Sequence, residues 1–339
     1  MYSFQNDYSE GAHPRILDAL GRTNLEQTSG YGNDPYTADA VRLIRAQIGN
    51  ESAQVHFLAG GTQTNLTALC AFLRPHEAVI SADTGHINVH ETGAIEATGH
   101  KVLTAAVSDG KLAPAHILSI VNAHTDEHMV KPRAVYVSHS TEVGTCYTKA
   151  ELTLLRECCV NNGLLLYLDG ARLGSALCCS DLTLSDIAAL TDAFYIGGTK
   201  NGALFGEALV ISNLSLAADM RYIVKQRGGM MAKGRILGLQ FVELFCDGLY
   251  FEIAAHANLM ADKLREGIRR TGHTFLSDSP SNQVFPIFPN EIVQRLSEQF
   301  CFEIWSKPDE THTCIRLVTS WATQPAAADA FLRALEALA

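Results

Sequence analysis

The chain has no excess of positive charge: 26 Lys and Arg stand against 36 Asp and Glu, a formal net charge of −10 over 339 residues. No run of Lys or Arg offsets that balance, which argues against nucleic acid and anionic membrane surfaces as partners, because nothing neutralises their phosphates. No apolar stretch reaches the ~20 residues that a bilayer crossing needs. The opening segment Met1-Tyr2-Ser3-Phe4-Gln5-Asn6-Asp7 lacks the basic and apolar regions of a secretory leader, so the expected location is cytoplasmic. The nine cysteines contain no Cys-x-x-Cys pair, and the adjacent pairs Cys158-Cys159 and Cys178-Cys179 are poorly placed to bridge to each other. Free, mostly buried thiols in a reducing compartment are expected. His86/His90 and His124/His128 have four-residue spacing but lack the glutamate of a zinc helix, and no metal is expected. The Gly-x-Ser-x-Gly elbow of hydrolases is absent, as is a Gly-x-Gly-x-x-Gly after the first strand, and there is no low-complexity linker or repeat.

What is present is a large globular core, with 47% apolar residues. After a polar, Gly-rich start that runs to Gly30-Tyr31-Gly32-Asn33-Asp34-Pro35, short apolar runs alternate with helical periodicity. Strands are expected at 55–59, 78–81, 102–105, 134–138, 164–169, 193–196 and 208–211, and helices at 37–48, 62–73, 112–123 and 149–161. This alternation predicts an α/β fold with a mainly parallel sheet covered on both faces. Beyond about residue 235 the pattern changes. A long helical stretch over 236–271 has Gly238 and Gly248 as weak points; strands at 282–288, 302–305 and 314–318 follow, then a helix over 326–338. The expected organisation is an N-terminal segment and large domain over 1–240 and a small α+β domain over 241–339.

Ligands of such sheets sit beyond the carboxyl ends of the strands, and three chemistry-bearing segments fall there. Lys200 lies in Tyr195-Ile196-Gly197-Gly198-Thr199-Lys200-Asn201-Gly202, 31 positions after Asp169 in Leu168-Asp169-Gly170-Ala171-Arg172. A strand-end acid followed by a strand-end lysine suits pyridoxal phosphate. The lysine amine makes a Schiff base, and the carboxylate keeps the pyridine nitrogen protonated so that the ring accepts electrons. A strand-end Asp is also a common helix cap and most lysines are solvated, so the pair needs support from the rest of the chain. Gly60-Gly61-Thr62-Gln63-Thr64-Asn65 supplies glycines and a helix N-terminus for a phosphate. His86, just past a strand, can stack on a ring and act as a base. Arg172 and Arg316 can each grip a carboxylate.

Together these residues resemble the aspartate-aminotransferase-like (fold type I) pyridoxal phosphate enzymes, and among them the L-threonine aldolase and β-eliminating lyase branch. The resemblance runs from Asn6-Asp7 to the last helix. It rests on Tyr31-Gly32-Asn33-Asp34-Pro35, Gly61-Thr62-Gln63-Thr64-Asn65, His86-Ile87 with His90-Glu91-Thr92-Gly93-Ala94, Leu168-Asp169-Gly170-Ala171-Arg172, Thr199-Lys200-Asn201-Gly202, Gly228-Gly229-Met230-Met231 and Arg316-Leu317-Val318-Thr319. It implies that Lys200 carries the cofactor, Asp169 pairs with its ring nitrogen, His86 stacks on the ring and Gly61 and Thr62 hold the phosphate. It further implies that Asn6, Arg172 and Arg316 bind the amino-acid carboxylate, that His128 lies near the substrate hydroxyl, and that Glu91 is an acid close to the ring. The chain departs from the family pattern in three places. Asn6 stands where the family has Ser; Ser138-His139-Ser140-Thr141 replaces Glu-Asn-Thr; and Ala232 replaces an arginine that reaches the phosphate of a neighbouring subunit, leaving Lys225 or Lys233 for that contact.

The reaction implied is cleavage of L-threonine or L-allo-threonine to glycine and acetaldehyde in a cytoplasmic homotetramer. The base for the β-hydroxyl is His86, His128 or a bound water. Another β-eliminating lyase or an aminotransferase would use the same Lys200 and Asp169.

Overall fold

A computed structural model describes residues 1–338. Its centre is a seven-stranded sheet of β2 (Gln54–Leu58), β3 (Glu77–Ala82), β4 (Val102–Ala105), β5 (Lys131–Ser138), β6 (Leu165–Asp169), β7 (Ala193–Gly197) and β8 (Glu207–Ile211). The order across the sheet is β2-β8-β7-β6-β5-β3-β4, and β8 alone runs against its neighbours. Strands β3, β6, β7 and β8 are buried along their whole length, which is why they read as unbroken apolar runs instead of alternating ones. One core lies on each face. Ile44, Phe194, Phe241 and Leu244 belong to one; Leu69, Tyr136, Tyr167 and Tyr195 belong to the other.

The helix 35–48 is capped by Asp34, whose side chain accepts the Thr37 N–H at 2.8 Å, and ends at Gly49 in the left-handed region. The long helical stretch beyond 235 breaks once. Helix Arg235–Cys246 ends before Gly248, whose φ of +76° is costly for any residue with a Cβ, and helix Leu249–Arg270 follows. Gly238 stays inside the first helix; a Cβ there would come within 2.6 Å of the Thr37 backbone, so this glycine permits close packing and makes no break. Residue 240 therefore falls within a helix.

The C-terminal sheet is formed by β9 (Thr274–Phe275), β10 (Gln283–Val284), β11 (Pro286–Pro289), β13 (Glu303–Ser306) and β14 (His312–Val318). The N-terminal strand β1 (Tyr2–Ser3) pairs in parallel with β12 (Phe300–Cys301), so the first residues of the chain pack with its last hundred. Phe4 joins Phe300 and Phe331 in that core. Four residues past β1, Asp7 meets Arg172 beyond the carboxyl end of β6, the middle strand of the central sheet.

All nine cysteines are free, but they are not mostly buried: Cys158, Cys159 and Cys314 are buried, while Cys178 and Cys246 are exposed. The Cys158-Cys159 pair sits on a helix whose hydrophobic side faces the core, and Cys178 is the exposed last residue of a short helix that is otherwise mostly buried, so burial follows position and not residue type.

Candidate active site

The carboxyl ends of β2, β3, β5, β6 and β7, with the first residue of reversed β8, surround two adjoining cavities. One, of about 320 Å³, is lined by Gly60, Gly61, Thr62, His86, Ser140, Glu142, Asp169, Ala171, Arg172, Tyr195, Lys200 and Glu207. The other, of about 400 Å³, is lined by Asn6, His86, His90, Glu142, Arg172, Lys200, Glu303, Trp305 and Arg316. His86, Glu142, Arg172 and Lys200 line both. A separate cavity of about 490 Å³ beside Tyr31, His56, Arg221 and Met230 holds none of these groups.

Asp169 ends β6 almost completely buried. Burial pushes its carboxyl up, but His86 nearby and hydrogen bonds from Tyr136, Tyr195 and Asn65 outweigh that and hold it below the ordinary Asp value. Asn65, in the first turns of helix Gly61–Phe72, donates to Asp169 Oδ2 at 2.9 Å and to Glu91 Oε1 at 2.7 Å, while Tyr167 donates to its Oδ1 at 3.0 Å. His86 Nδ1 lies 2.8 Å from the same Glu91 oxygen. A carboxylate acceptor there places the proton on Nδ1 and leaves Nε2 as the basic nitrogen. Glu91 Oε2 is buried without a partner among the described residues.

Lys200 follows β7 in a turn whose Gly198 N–H and Thr199 hydroxyl donate to Glu207 at 3.0 and 2.8 Å. Burial and then the Arg172 guanidinium push the Lys200 ammonium down, against the pull of Asp7, Asp169 and Glu207. That shift favours the free amine that attacks a carbonyl. Burial raises Glu207 to about 8. Arg172 is held by Asp7 through two bonds, Nε to Oδ2 at 2.7 Å and Nη2 to Oδ1 at 3.1 Å, and Asn282 donates to the same acid at 3.0 Å. Nη1 is therefore the edge of Arg172 left for another ligand. Arg316, on β14, pairs with Glu303 and lies over the Trp305 ring, 5.2 Å from its centroid; its buried Nε has no partner among the described residues.

The structure thus brings together Asn6, Gly61, Thr62, His86, Asp169, Arg172, Lys200 and Arg316, with Glu91 directly behind His86. It does not bring His128. That residue is exposed three positions before β5, at the amino end of the sheet, and lines neither cavity. The β5 strand of eight residues, about 26 Å at ~3.3 Å per residue, separates it from the site of its own chain. Neither Lys225 nor Lys233 lines these cavities either; the Lys225 ammonium lies 4.7 Å over the Tyr31 ring.

Glu142 and Tyr136 lie outside every motif read from the sequence, and Asp7 and Tyr195 stand in segments quoted there without a role of their own. Glu142 Oε1 accepts the Ser138 hydroxyl at 2.6 Å and the His86 N–H at 2.9 Å. A carboxyl group thus reaches back to Ser138, at the start of the stretch that departs from the family pattern. Burial raises Glu142, against the bonds from Ser138 and the backbone.

The donor set fits pyridoxal phosphate. The first cavity offers an amine on Lys200, an anion at Asp169, the uncapped N-terminus of helix Gly61–Phe72 for a phosphate and an unpartnered buried hydroxyl on Ser140, and the adjoining one offers the unpartnered Nε of Arg316. Gly61 leaves the space open: a Cβ there would stand 3.0 Å from the Tyr195 hydroxyl.

Comparison with known proteins agrees with this geometry. The family model described as beta-eliminating lyase matches residues 7–289. A low specificity L-threonine aldolase of Pseudomonas sp. (strain NCIMB 10558) is 34% identical, covering 95% of this chain and 94% of that protein. A Leishmania major threonine aldolase structure is 50% identical with a TM-score of 0.99, covering 100% of this chain and 99% of that one. A Thermus thermophilus aspartate aminotransferase, 14% identical with a TM-score of 0.75, shares the fold. With the matched segment spanning the lysine, the acid and Arg172, the chain belongs to the β-eliminating lyase family of fold type I enzymes, among its threonine aldolases.

Proposed function

We propose that the protein is a pyridoxal-phosphate-dependent aldehyde-lyase that cleaves L-threonine and L-allo-threonine to glycine and acetaldehyde. The observation that carries this reading is the convergence of Lys200 and Asp169 with two arginines, Arg172 and Arg316, across two joined cavities. Bound pyridoxal phosphate supplies the electron sink that takes up the negative charge left at Cα when the Cα–Cβ bond opens.

The chain's own groups divide the remaining work. Lys200 presents its amine to the carbonyl of the cofactor. Gly61, Thr62 and the helix N-terminus behind them hold the phosphate. Asp169 would meet the ring nitrogen as an anion, and His86 would pack on the ring, with Glu91 fixing its tautomer. Arg316, through its unpartnered Nε, and Arg172, through Nη1, hold the substrate carboxylate, with Asn6 beside them. Two fixed carboxylate contacts set which bond at Cα stands across the ring face. The proton of the β-hydroxyl goes to His86 Nε2 or to Glu142, which both line the two cavities.

The proposed assembly is a cytoplasmic homotetramer, a dimer of dimers. No described helix is long and apolar enough to cross a membrane. The proposed division into a large and a small domain near residue 240 is supported by the separate sheets on either side of it. Product analysis tests the reaction. Acetaldehyde in step with glycine from L-threonine is expected, and a keto acid in its place would refute the aldolase reading.

A further inference from the structure

The Asp169 carboxylate accepts four hydrogen bonds from the chain itself. Oδ2 accepts the Tyr136 hydroxyl at 2.6 Å and the Asn65 amide at 2.9 Å; Oδ1 accepts the Tyr195 hydroxyl at 2.5 Å and the Ala171 N–H at 3.0 Å. The two phenols come from the strands on either side of it. On β5, Ser138 stands opposite Asp169, and Tyr136 lies two residues earlier on the same face. On β7, Tyr195 is one step beyond the paired Leu168 and Phe194. Both rings are about 1% exposed, and each hydroxyl remains protonated because burial and the Asp169 charge push it far above the ordinary tyrosine value. Each is therefore a donor.

We propose that Tyr136 and Tyr195 are positioning residues that keep the shared proton on the ring nitrogen of bound pyridoxal phosphate and off Asp169. The inference rests on the cofactor reading above. A carboxylate facing a pyridine nitrogen shares one proton with it, and the proton settles on the more basic partner. Hydrogen bonds donated to a carboxylate lower its basicity, and several together lower it steeply. Short O–H···O⁻ bonds in a buried site are the strong kind. Each phenol withdraws electron density from one oxygen of Asp169, so the acid stays ionised and the ring stays cationic. Asn65 extends the arrangement, since its second amide hydrogen goes to Glu91 and so ties the charge of Asp169 to the tautomer of His86.

The competing explanation is that the hydroxyls only satisfy buried polar atoms, with no bearing on the cofactor. The two are separated by reading the proton directly. Holoenzyme is prepared with ¹⁵N-labelled pyridoxal phosphate as wild type, Tyr136→Phe, Tyr195→Phe and the double variant, and the ring-nitrogen chemical shift is followed against pH. Each change removes one oxygen and keeps the ring packing; circular dichroism and the cofactor dissociation constant are recorded in parallel, and the single variants decide if the double variant does not fold. The wild type is expected at the protonated pyridinium position. Each single variant is expected to raise the basicity of Asp169 about ten- to a hundred-fold, moving the signal toward neutral pyridine, with the double variant furthest. Folded, cofactor-loaded variants whose nitrogen stays as protonated as the wild type would overturn the proposal and leave the role of Asp169 intact. A wild type with an unprotonated nitrogen would overturn both, and a wild type that takes up no labelled cofactor would overturn the cofactor reading itself.

Discussion

Asp7 and Arg172, 165 positions apart, meet as a two-bond ion pair with the Asp7 side chain fully enclosed. The pair joins the N-terminal segment to the turn after β6, and it spends two edges of the arginine on a partner from the same chain. Asp7, which also accepts the Asn282 amide, holds Arg172 in place and leaves only its Nη1 for the substrate.

That pair predicts a divided effect for Asp7→Asn. The neutral amide leaves the buried Arg172 without its counter-charge, and breaking such a pair costs about 3–5 kcal/mol. Urea unfolding should show the loss, and KM for threonine should rise as Arg172 leaves its place. The visible band of the bound cofactor should be little changed. A variant with wild-type stability and KM would show that the pair organises nothing.

Glu142 predicts a change in turnover. It accepts two hydrogen bonds at Oε1, and Oε2 accepts none among the described residues. Glu142→Gln keeps the shape and removes the proton acceptor. If Glu142 takes the hydroxyl proton, kcat for threonine falls by about 10²–10⁴-fold, the usual span for general-base catalysis, while cofactor absorbance is retained. Unchanged kcat would leave that proton to His86 Nε2.

The fold was legible where burial has a simple signature. Strands buried on both faces show as apolar runs, and the helix 149–161 opens with a Thr148–Glu151 capping box, so the central sheet was readable from local pattern. Lys200, Asp169 and Arg172 were legible because the topology puts strand ends on one edge. His128 precedes a strand where the others follow one, so the length of the sheet separates it from the site of its own chain. The roles of Asp7, Glu142, Tyr136 and Tyr195 were not legible because they lie in contacts with distant segments: Tyr136 reads as an apolar core residue until Asp169 is seen at the end of its hydroxyl.

Acid stability follows from His139, which is fully buried on the turn after β5. Burial, against a weaker pull from Asp181, lowers it from 6.5 to about 4. The native state therefore holds it neutral, and its contribution is present above pH 6.5 and lost as pH falls through about 4. The shift corresponds to about 3 kcal/mol over that window. Unfolding free energies at pH 7, 5.5 and 4 should fall less steeply for His139→Gln than for the wild type. Parallel slopes would remove His139 as the source.

The most direct test of the central claim is the visible spectrum of the purified protein with and without L-threonine, beside Lys200→Ala, with acetaldehyde followed by a coupled dehydrogenase. The account predicts a band near about 420 nm that changes on adding threonine as acetaldehyde appears, and neither band nor acetaldehyde in the variant. A Lys200→Ala protein that still releases acetaldehyde from threonine at the wild-type rate would contradict it.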